Sequence, residues 1–456
     1  MSSSSKASER ITALLDDNSF VEIGALVTAR ATSFNLTPEE TPSDGVVTGY
    51  GTIDGNLVFV YSQDPSVLGG SIGEMHAKKI AGLYDLAIKT GAPVIGLLDS
   101  TGLRLQEGPD ALNAFASIYA LEAKASGVIP QITAVFGSCG GGLALVAGMS
   151  DFTFMAEDGK LFVSSPNAVE GNKNTDTSAA VYKAQSGSVD AVSDANDVLR
   201  RIRDLVSVLP ANNEDENTTD CTDDLNRACD AVAANAADVR AAAKDIADGY
   251  AFIETKADYA KDMVTGFVRL NGSTVGVVAN AKTKLSTEGC RKAARFVNFC
   301  DAFEIPVVSL TNVDGFARTE SEEKTIGAAA AQLAFAFADA SVPKVNVVIN
   351  AIGSAYGVMN AKATGADITI AFPDTKIGIM DADKAAQILA EGKSAEEIAA
   401  AAQQYDELQN GSASAAARGY IDQIVAPADL RKYLIGALEM LYTKREEVVS
   451  KKHGTV

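Results

Sequence analysis

VIPQITAVFGSCGGGLALVAGMSDFTFMA, residues 128–156, reads as an apolar strand after Pro130, a glycine turn, a small-residue helix from Leu143, and a short strand over Phe152, Thr153, Phe154 and Met155. The turn is Gly137-Ser138-Cys139-Gly140-Gly141-Gly142. Glycine lets the backbone take positive φ and lets a ligand approach the main chain. The first N–H groups of a helix have no internal partner and carry the positive end of its dipole. Such a turn can hold an anion or an oxyanion, or it is a tight strand-to-helix connection packed in a core.

The chain repeats this pattern. Pro130-Gln131-Ile132 is echoed by Pro343-Lys344-Val345, and the same offset of 213 places Gly140-Gly141-Gly142 on Gly353-Ser354-Ala355. Upstream, Ala92-Pro93-Val94-Ile95 falls on Ile305-Pro306-Val307-Val308 and Gly102 on Gly315. Thr48-Gly49-Tyr50 with Asp54-Gly55 matches Thr265-Gly266-Phe267 with Asn271-Gly272 at 217, and Asp151-Phe152-Thr153-Phe154 matches Asp367-Ile368-Thr369-Ile370 at 216. A register kept over roughly a hundred residues, with small drifts from loop insertions, predicts two homologous α/β domains, 1–222 and 223–456. Residues 48–165 are expected to superpose on 265–380, with Gly141-Gly142 on Ser354-Ala355.

Composition agrees with two buried cores. The chain has 456 residues, 47% hydrophobic and 21% charged, too many for one core, and no apolar run reaches the roughly 18 residues of a membrane span. The start MSSSSKASER lacks the apolar segment of a signal peptide. Five cysteines without metal-ligand spacing predict reduced thiols in a cytoplasm, no disulfide and no metal site. A net charge of −20 argues against nucleic acid as a partner. Only His76 and His453 are present, so a Ser-His-Asp or Cys-His site has little to draw on and main-chain donors become the expected catalytic groups.

Along the chain, a helix and a short strand are expected over residues 7–30, then a hairpin around Asp54-Gly55. The segment Gly69-Gly70-Ser71 before a helix, and Gly102-Leu103 after the strand at Val94, repeat the strand, glycine turn and helix of a ββα spiral, in which successive turns meet at one site. Residues 171–190 read as a polar loop, 212–224 as an acidic surface linker, 223–247 as one linking helix, and the last helix as running from Pro427 to about Val449.

Blocks spread over the whole length carry a family resemblance. They include SDGVVTGYGTIDGNLVFVYSQD, VLGGSIGEMHAKKI, GAPVIGLLDSTGLRLQEG, ASGVIPQITAVFGSCGGG, ARFVNFCDAFEIPVVSLTNVDGF, ASVPKVNVVINAIGSAYGVMNAKATGADITIAFPDTKIGIM and the closing KKHG. The sequence resembles the carboxyltransferase subunits of biotin-dependent acyl-CoA carboxylases and decarboxylases, of the propionyl-CoA carboxylase β and methylmalonyl-CoA decarboxylase α type. The resemblance implies a crotonase fold in each half and CO2 exchange between carboxybiotin, on a separate biotin carboxyl carrier protein, and a propionyl/methylmalonyl-CoA or acetyl/malonyl-CoA thioester. It implies no metal. It also implies a dimer-based hexamer in which acyl-CoA lies on the first half and biotin on the second half of a neighbouring subunit, with a biotin carboxylase or a membrane decarboxylase subunit as further partners.

Under this resemblance Gly141 and Gly142 donate N–H groups to the thioester oxygen, and Ser354 and Ala355 hold the ureido oxygen of biotin. Gly69, Gly70, Ser71, Gly102, Leu103 and Gly357 line the substrate, and Gly315, Phe316, Gly353 and Tyr356 the biotin side. Departures are visible. Gly353-Ser354-Ala355-Tyr356-Gly357 stands where the family commonly has Gly-Gly-Ala-Tyr-Asp, and Ala328-Ala329-Ala330 where it has Arg-His-Gly. Two other readings stay open: a biotin-independent crotonase-like hydratase, isomerase or thioesterase with Glu107 as its acid/base group, or a non-catalytic scaffold. The bland reading of Glu107, a solvated helix-end glutamate, is favoured over the acid/base one, and Arg104 has two readings, meeting a CoA phosphate or pairing with Glu107.

Overall fold

At Asp54 and Gly55 the chain takes two successive positive φ angles, 50° and 82°, the geometry of the two-residue hairpin turn that Asp-Gly favours. In this computed structural model, which describes residues 5–30, 36–216, 218–446, Val449, Lys452 and Gly454, the turn joins β2 (Val46–Ile53) to β3 (Asn56–Gln63), and β1 (Val21–Ile23) pairs outside β2. The strands β4 (Val94–Ser100), β5 (Gln131–Gly140) and β6 (Phe152–Ala156) then run parallel. β7 (Lys160–Phe162) pairs with the carboxyl end of β5, and β8 (Ala191–Ser193) lies beyond β6. Parallel neighbours require crossovers, supplied by helices Glu74–Thr90, Pro109–Ala125 and Leu143–Met149. The first stops at Gly91, whose φ of 64° closes the helix with an N–H bond to the Ala87 carbonyl. Ile80, Leu83, Tyr84, Phe115 and Ile118 form one core with Tyr61, Leu98 and Val135, each large side chain contributing about 1.5–3 kcal/mol by its burial.

The chain falls into two units, Met1–Asn217 and Thr218–Val456, and the second repeats the architecture of the first. Its strands β9 (Ile253–Thr255), β10 (Met263–Leu270), β11 (Ser273–Asn280), β12 (Val307–Asp314), β13 (Lys344–Ile352), β14 (Ile368–Gly378) and β15 (Gln423–Ile424) form one sheet in simple spatial sequence. The hairpin turn is Asn271-Gly272, with φ of 50° and 77°. Helix Thr287–Ala302 opens on Ser286, whose hydroxyl accepts the Gly289 N–H. Among the described residues no helix is long and apolar enough to cross a membrane.

A buried lysine is duplicated as well. Lys79 Nζ donates to the carbonyls of Ser43 and Val46, the latter the first residue of β2. Lys292 Nζ donates to those of Lys256, Tyr259 and Met263, the last of these opening β10. Burial pushes both ammonium groups down to about 8. Each lysine gathers carbonyls of the segment leading into the hairpin, tying the crossover helix to its start.

The repeat is displaced by one residue at the glycine turn. Val94 pairs with Gln131 and Val307 with Lys344, which fits the offset of 213. Further along, β5 takes up two extra residues against β4, from Leu98↔Val135 to Ser100↔Cys139, whereas β13 takes up one, from Thr311↔Val348 to Asn312↔Asn350. Past these bulges the equivalences are Gly141 with Gly353, Gly142 with Ser354 and Leu143 with Ala355. The expected match of Gly141-Gly142 to Ser354-Ala355 is therefore corrected by one position.

Three local expectations also change. Residues 171–190 contain helix Ala180–Gln185. The linking helix is two helices, Asp230–Asn235 and Val239–Ile246, because the Asn235 side chain accepts the Ala237 N–H and Asp238 caps the second helix through Ala241 N–H. The last helix, Leu430–Leu441, ends well before Val449. His453 lies outside the described residues.

Lys292→Met removes the ammonium that donates to the carbonyls of Lys256, Tyr259 and Met263 and is expected to destabilise the protein by about 3 kcal/mol. The urea midpoint measures this; a midpoint equal to wild type would show the carbonyls satisfied without Lys292.

Candidate active site

β5 ends in Gly140, and the chain turns through Gly141 at φ 61° into helix Leu143–Met149. The Gly141 N–H is not free. It donates to the Phe162 carbonyl at 2.9 Å, so the edge strand β7 uses the first donor of the turn. The N–H groups of Gly142 and Leu143 have no acceptor among the described residues, while the Gly142 carbonyl takes the Tyr119 hydroxyl at 2.7 Å. Tyr119 and Phe115 stack on helix Pro109–Ala125, with centroids 6.0 Å apart. A Cβ on Gly142 would stand 2.7 Å from Tyr119 Oη and 3.4 Å from Phe115 Cγ. Gly142 itself has φ −60°, so contact with these rings, and not left-handed backbone, is what excludes a side chain there. Cys139 is buried behind the turn, and burial holds its thiol in the protonated form.

The other glycine segments of the first unit meet this turn. Thr101 N–H bonds the Gly69 carbonyl at 3.0 Å, and Ile72 N–H bonds the Gly102 carbonyl at 2.8 Å, forming a bridge between Ile72 and Leu103. A Cβ on Gly70 would collide with the Asp99 carbonyl, and one on Gly102 would stand 3.4 Å from the Gly140 carbonyl. Gly69, Gly70, Gly102 and Leu103 thus gather beside Gly140 at the carboxyl ends of β3, β4 and β5. Ser71 is turned away: its carbonyl and hydroxyl face Arg104, at 2.7 and 3.4 Å.

Arg104 is fully buried and pairs with Asp44 and with Glu107. Glu107 also accepts the Glu74 N–H at 2.5 Å. Of the two readings of Arg104, pairing holds, and Glu107 is neither a solvated helix-end residue nor a free acid/base group. Asp44 further accepts the His76 N–H at 2.7 Å, and its carbonyl faces His76 Nδ1 at 2.9 Å. Burial, with the charge of Arg104 adding to it, holds the imidazole down at about 3. This cluster, invisible in the sequence because Asp44 lies sixty residues before Arg104, pins the loop that carries Gly102 and Leu103.

The second unit builds the same turn. Gly353 at φ 81° donates its N–H to the Gly378 carbonyl at 2.9 Å, leaving Ser354 and Ala355 N–H without acceptors among the described residues. Leu285 N–H bonds the Gly315 carbonyl at 3.1 Å, and Leu285 bridges Phe316, the counterpart of the Ile72–Leu103 bridge. A Cβ on Gly353 would lie 3.9 Å from Gly315 Cα. Ser354 and Gly357 are exposed, Tyr356 is half-buried with its hydroxyl raised by burial, and the Gly357 carbonyl accepts Thr364 Oγ1 at 2.5 Å.

The carboxyl transferase domain model matches residues 3–456. A propionyl-CoA carboxylase beta chain of Saccharopolyspora erythraea is 38% identical over 490 residues, covering 99% of this chain and 90% of that protein. A methylmalonyl-CoA decarboxylase subunit alpha of Propionigenium modestum is 36% identical over 483 residues, covering 99% and 92%. Among solved structures, transcarboxylase 12S, described as a hexamer assembly with hydrolysed methylmalonyl-coenzyme A bound, aligns with a TM-score of 0.93 at 35% identity over 98% of this chain and 92% of that one.

His76 generates a pH prediction. Its folded pKa, about 3, lies below the ordinary value of 6.5, so below pH 6.5 the unfolded chain takes up a proton that the folded chain refuses. The stability tied to this residue is present above pH 6.5 and falls as pH drops toward 3, by up to about 1.4 kcal/mol per pH unit. Urea midpoints at pH 7, 6, 5 and 4 are expected to fall less steeply in His76→Gln than in wild type; parallel slopes would mean that the imidazole is not the group responsible.

Proposed function

The chain belongs to the carboxyl transferase family, and from that membership we propose that its N-terminal unit holds a short acyl-CoA thioester and its C-terminal unit the ureido ring of biotin on a separate carrier protein. It is a carboxyltransferase of the kind found in biotin-dependent acyl-CoA carboxylases and decarboxylases, built from two crotonase-like units. The relatives' names point to a propionyl/methylmalonyl-CoA pair as substrate. In this reading the two units that complete one reaction site come from neighbouring copies in a hexamer built of dimers, in the cytoplasm. The observation that carries it is the repeated pair of free N–H groups, Gly142 with Leu143 and Ser354 with Ala355, each at the end of a central parallel strand.

Moving a carboxyl group to or from the α-carbon of a thioester passes through an enolate. Charge gathers on the thioester oxygen, and two fixed N–H donors stabilise it without reorganising, one such donor being worth about 3–4 kcal/mol. Gly142 and Leu143 are the proposed donors; Gly141 shapes the turn and spends its own N–H on Phe162. Gly69, Gly70, Gly102 and Leu103 line the thioester, with Gly357 bordering the acyl group. Ser354 and Ala355 are the proposed donors to the ureido oxygen, flanked by Gly315, Phe316, Gly353 and Tyr356. Biotin, when bound, accepts or delivers the CO2. A hydratase reading needs a free carboxylate beside Gly142, and the engagement of Glu107 with Arg104 and Glu74 argues against it.

Gly142→Ala is expected to push against Tyr119 and displace the donor pair, lowering turnover about 10²- to 10³-fold in biotin-dependent decarboxylation of methylmalonyl-CoA. Tyr119→Phe in the same chain should recover part of that loss by removing the hydroxyl in the way. Gly148→Ala, where a Cβ meets nothing within 4 Å, is the neutral control. Wild-type turnover in Gly142→Ala would place the thioester oxygen elsewhere.

A further inference from the structure

The two turns differ in the charge beside them. At the second, two cationic nitrogens stand close to the position a Cβ on Gly315 would occupy: Arg318 Nη2 at 3.7 Å and Lys284 Nζ at 3.8 Å. Gly315 in turn borders Gly353, so both cations lie beside the turn that leaves the Ser354 and Ala355 N–H groups free. Lys284 is tied to Asp314 at 2.8 Å. Arg318 is exposed and has no carboxylate within ion-pair reach among the described residues, although Glu320, Glu322 and Glu323 follow it closely. The corresponding positions of the first unit are the neutral Ser71 and Leu105, and Arg104, beside Leu105, is buried in its pairs with Asp44 and Glu107. In a chain of net charge −20, an unpaired guanidinium at one turn and not the other marks a place for an anion.

We propose that Arg318, backed by Lys284, binds the carboxylate group in transfer at the second turn and positions it beside the Ser354 and Ala355 N–H groups. This rests on the reading of the second turn as the biotin side. A guanidinium presents paired N–H donors matched to a carboxylate, which an ammonium does not. The carboxylate arrives either on the malonyl-type thioester or on the ureido ring. Arg318 is a positioning residue: it moves no proton and forms no bond.

The test uses the full-length protein as wild type, Arg318→Gln and Arg318→Lys. Methylmalonate is the probe for binding by titration calorimetry, and uncharged biotinamide is the co-substrate for decarboxylation of methylmalonyl-CoA. Arg318→Gln should weaken methylmalonate binding about five- to tenfold, within the net range for one hydrogen bond and below that for a buried charged one, as suits an exposed guanidinium, and Arg318→Lys should recover part of it. The wild-type affinity should fall with added salt, as for an exposed charge. The kcat/KM for methylmalonyl-CoA should fall by a similar factor while inhibition by propionyl-CoA, which lacks the carboxylate, is unchanged. A rise in KM would mean that the carboxylate is met on the thioester, a fall in kcat that it is met on the ureido ring, and both support the proposal. Equal methylmalonate affinity in wild type and Arg318→Gln overturns it, as does an equal loss of propionyl-CoA inhibition, which would place Arg318 on the coenzyme A phosphates. A wild type that binds methylmalonate through Arg318 but shows no biotinamide-dependent decarboxylation would keep this site and remove the functional reading instead.

Discussion

One backbone hydrogen bond governs both turns. Where β5 and β13 end, the first N–H past the strand is claimed by the carbonyl of the strand alongside, Phe162 in one unit and Gly378 in the other. That bond fixes the peptide plane. With it fixed, the next two N–H groups have no acceptor among the described residues, and nothing later in the helix can take them because a helix leaves its first donors unpaired. Gly141 and Gly353 carry the positive φ this requires, while the residue after each has no such need. It is glycine where Tyr119 and Phe115 crowd it and an exposed serine in the second unit.

Beside the first turn the supporting structure is polar and buried, an arrangement that is costly unless every partner is present. The Arg104 guanidinium satisfies Asp44, Glu107 and the Ser71 carbonyl together; Asp44 in turn holds His76. Burial raises the Asp44 carboxyl against the pull of Arg104, so the cluster contributes geometry more than net stability. Its effect is to hold the Gly102–Leu103 bridge with Ile72 at a fixed distance from Gly140. The second unit reaches the same bridge, Leu285 with Phe316, with Ala317 in place of the buried arginine.

Most of the architecture was legible because it is written twice. The hairpins at Asp54-Gly55 and Asn271-Gly272, the strands after Pro93, Pro130, Pro306 and Pro343, and the glycine turns all stand in the sequence at matching spacings. What could not be read was set by geometry between strands. A bulge takes residues out of register without any composition signal, so the one-residue shift between Gly142 and Ser354 appeared only in the pairing. The use of Gly141 N–H by Phe162, and the pairing of Arg104 with Asp44, depend on partners far along the chain. The pairing of Glu107 with Arg104, three residues away, stands among the readings of the sequence, but the Glu74 N–H that Glu107 also accepts lies 33 residues off and left no local signal. Arg318 had no signal beyond being an arginine after a glycine.

The unequal bulges bear on how freely the two halves could be interchanged. β5 takes up two extra residues and β13 one, yet both deliver a turn whose donor pair sits at the strand end. Each turn is thus matched to its own sheet by a spacer of different length. A chimera that carried the β5 turn into the second unit would have to shorten the strand by one residue, or its peptide planes would flip to the opposite face of the sheet. The ancestral repeat has become two parts that share a plan and no longer share a thread.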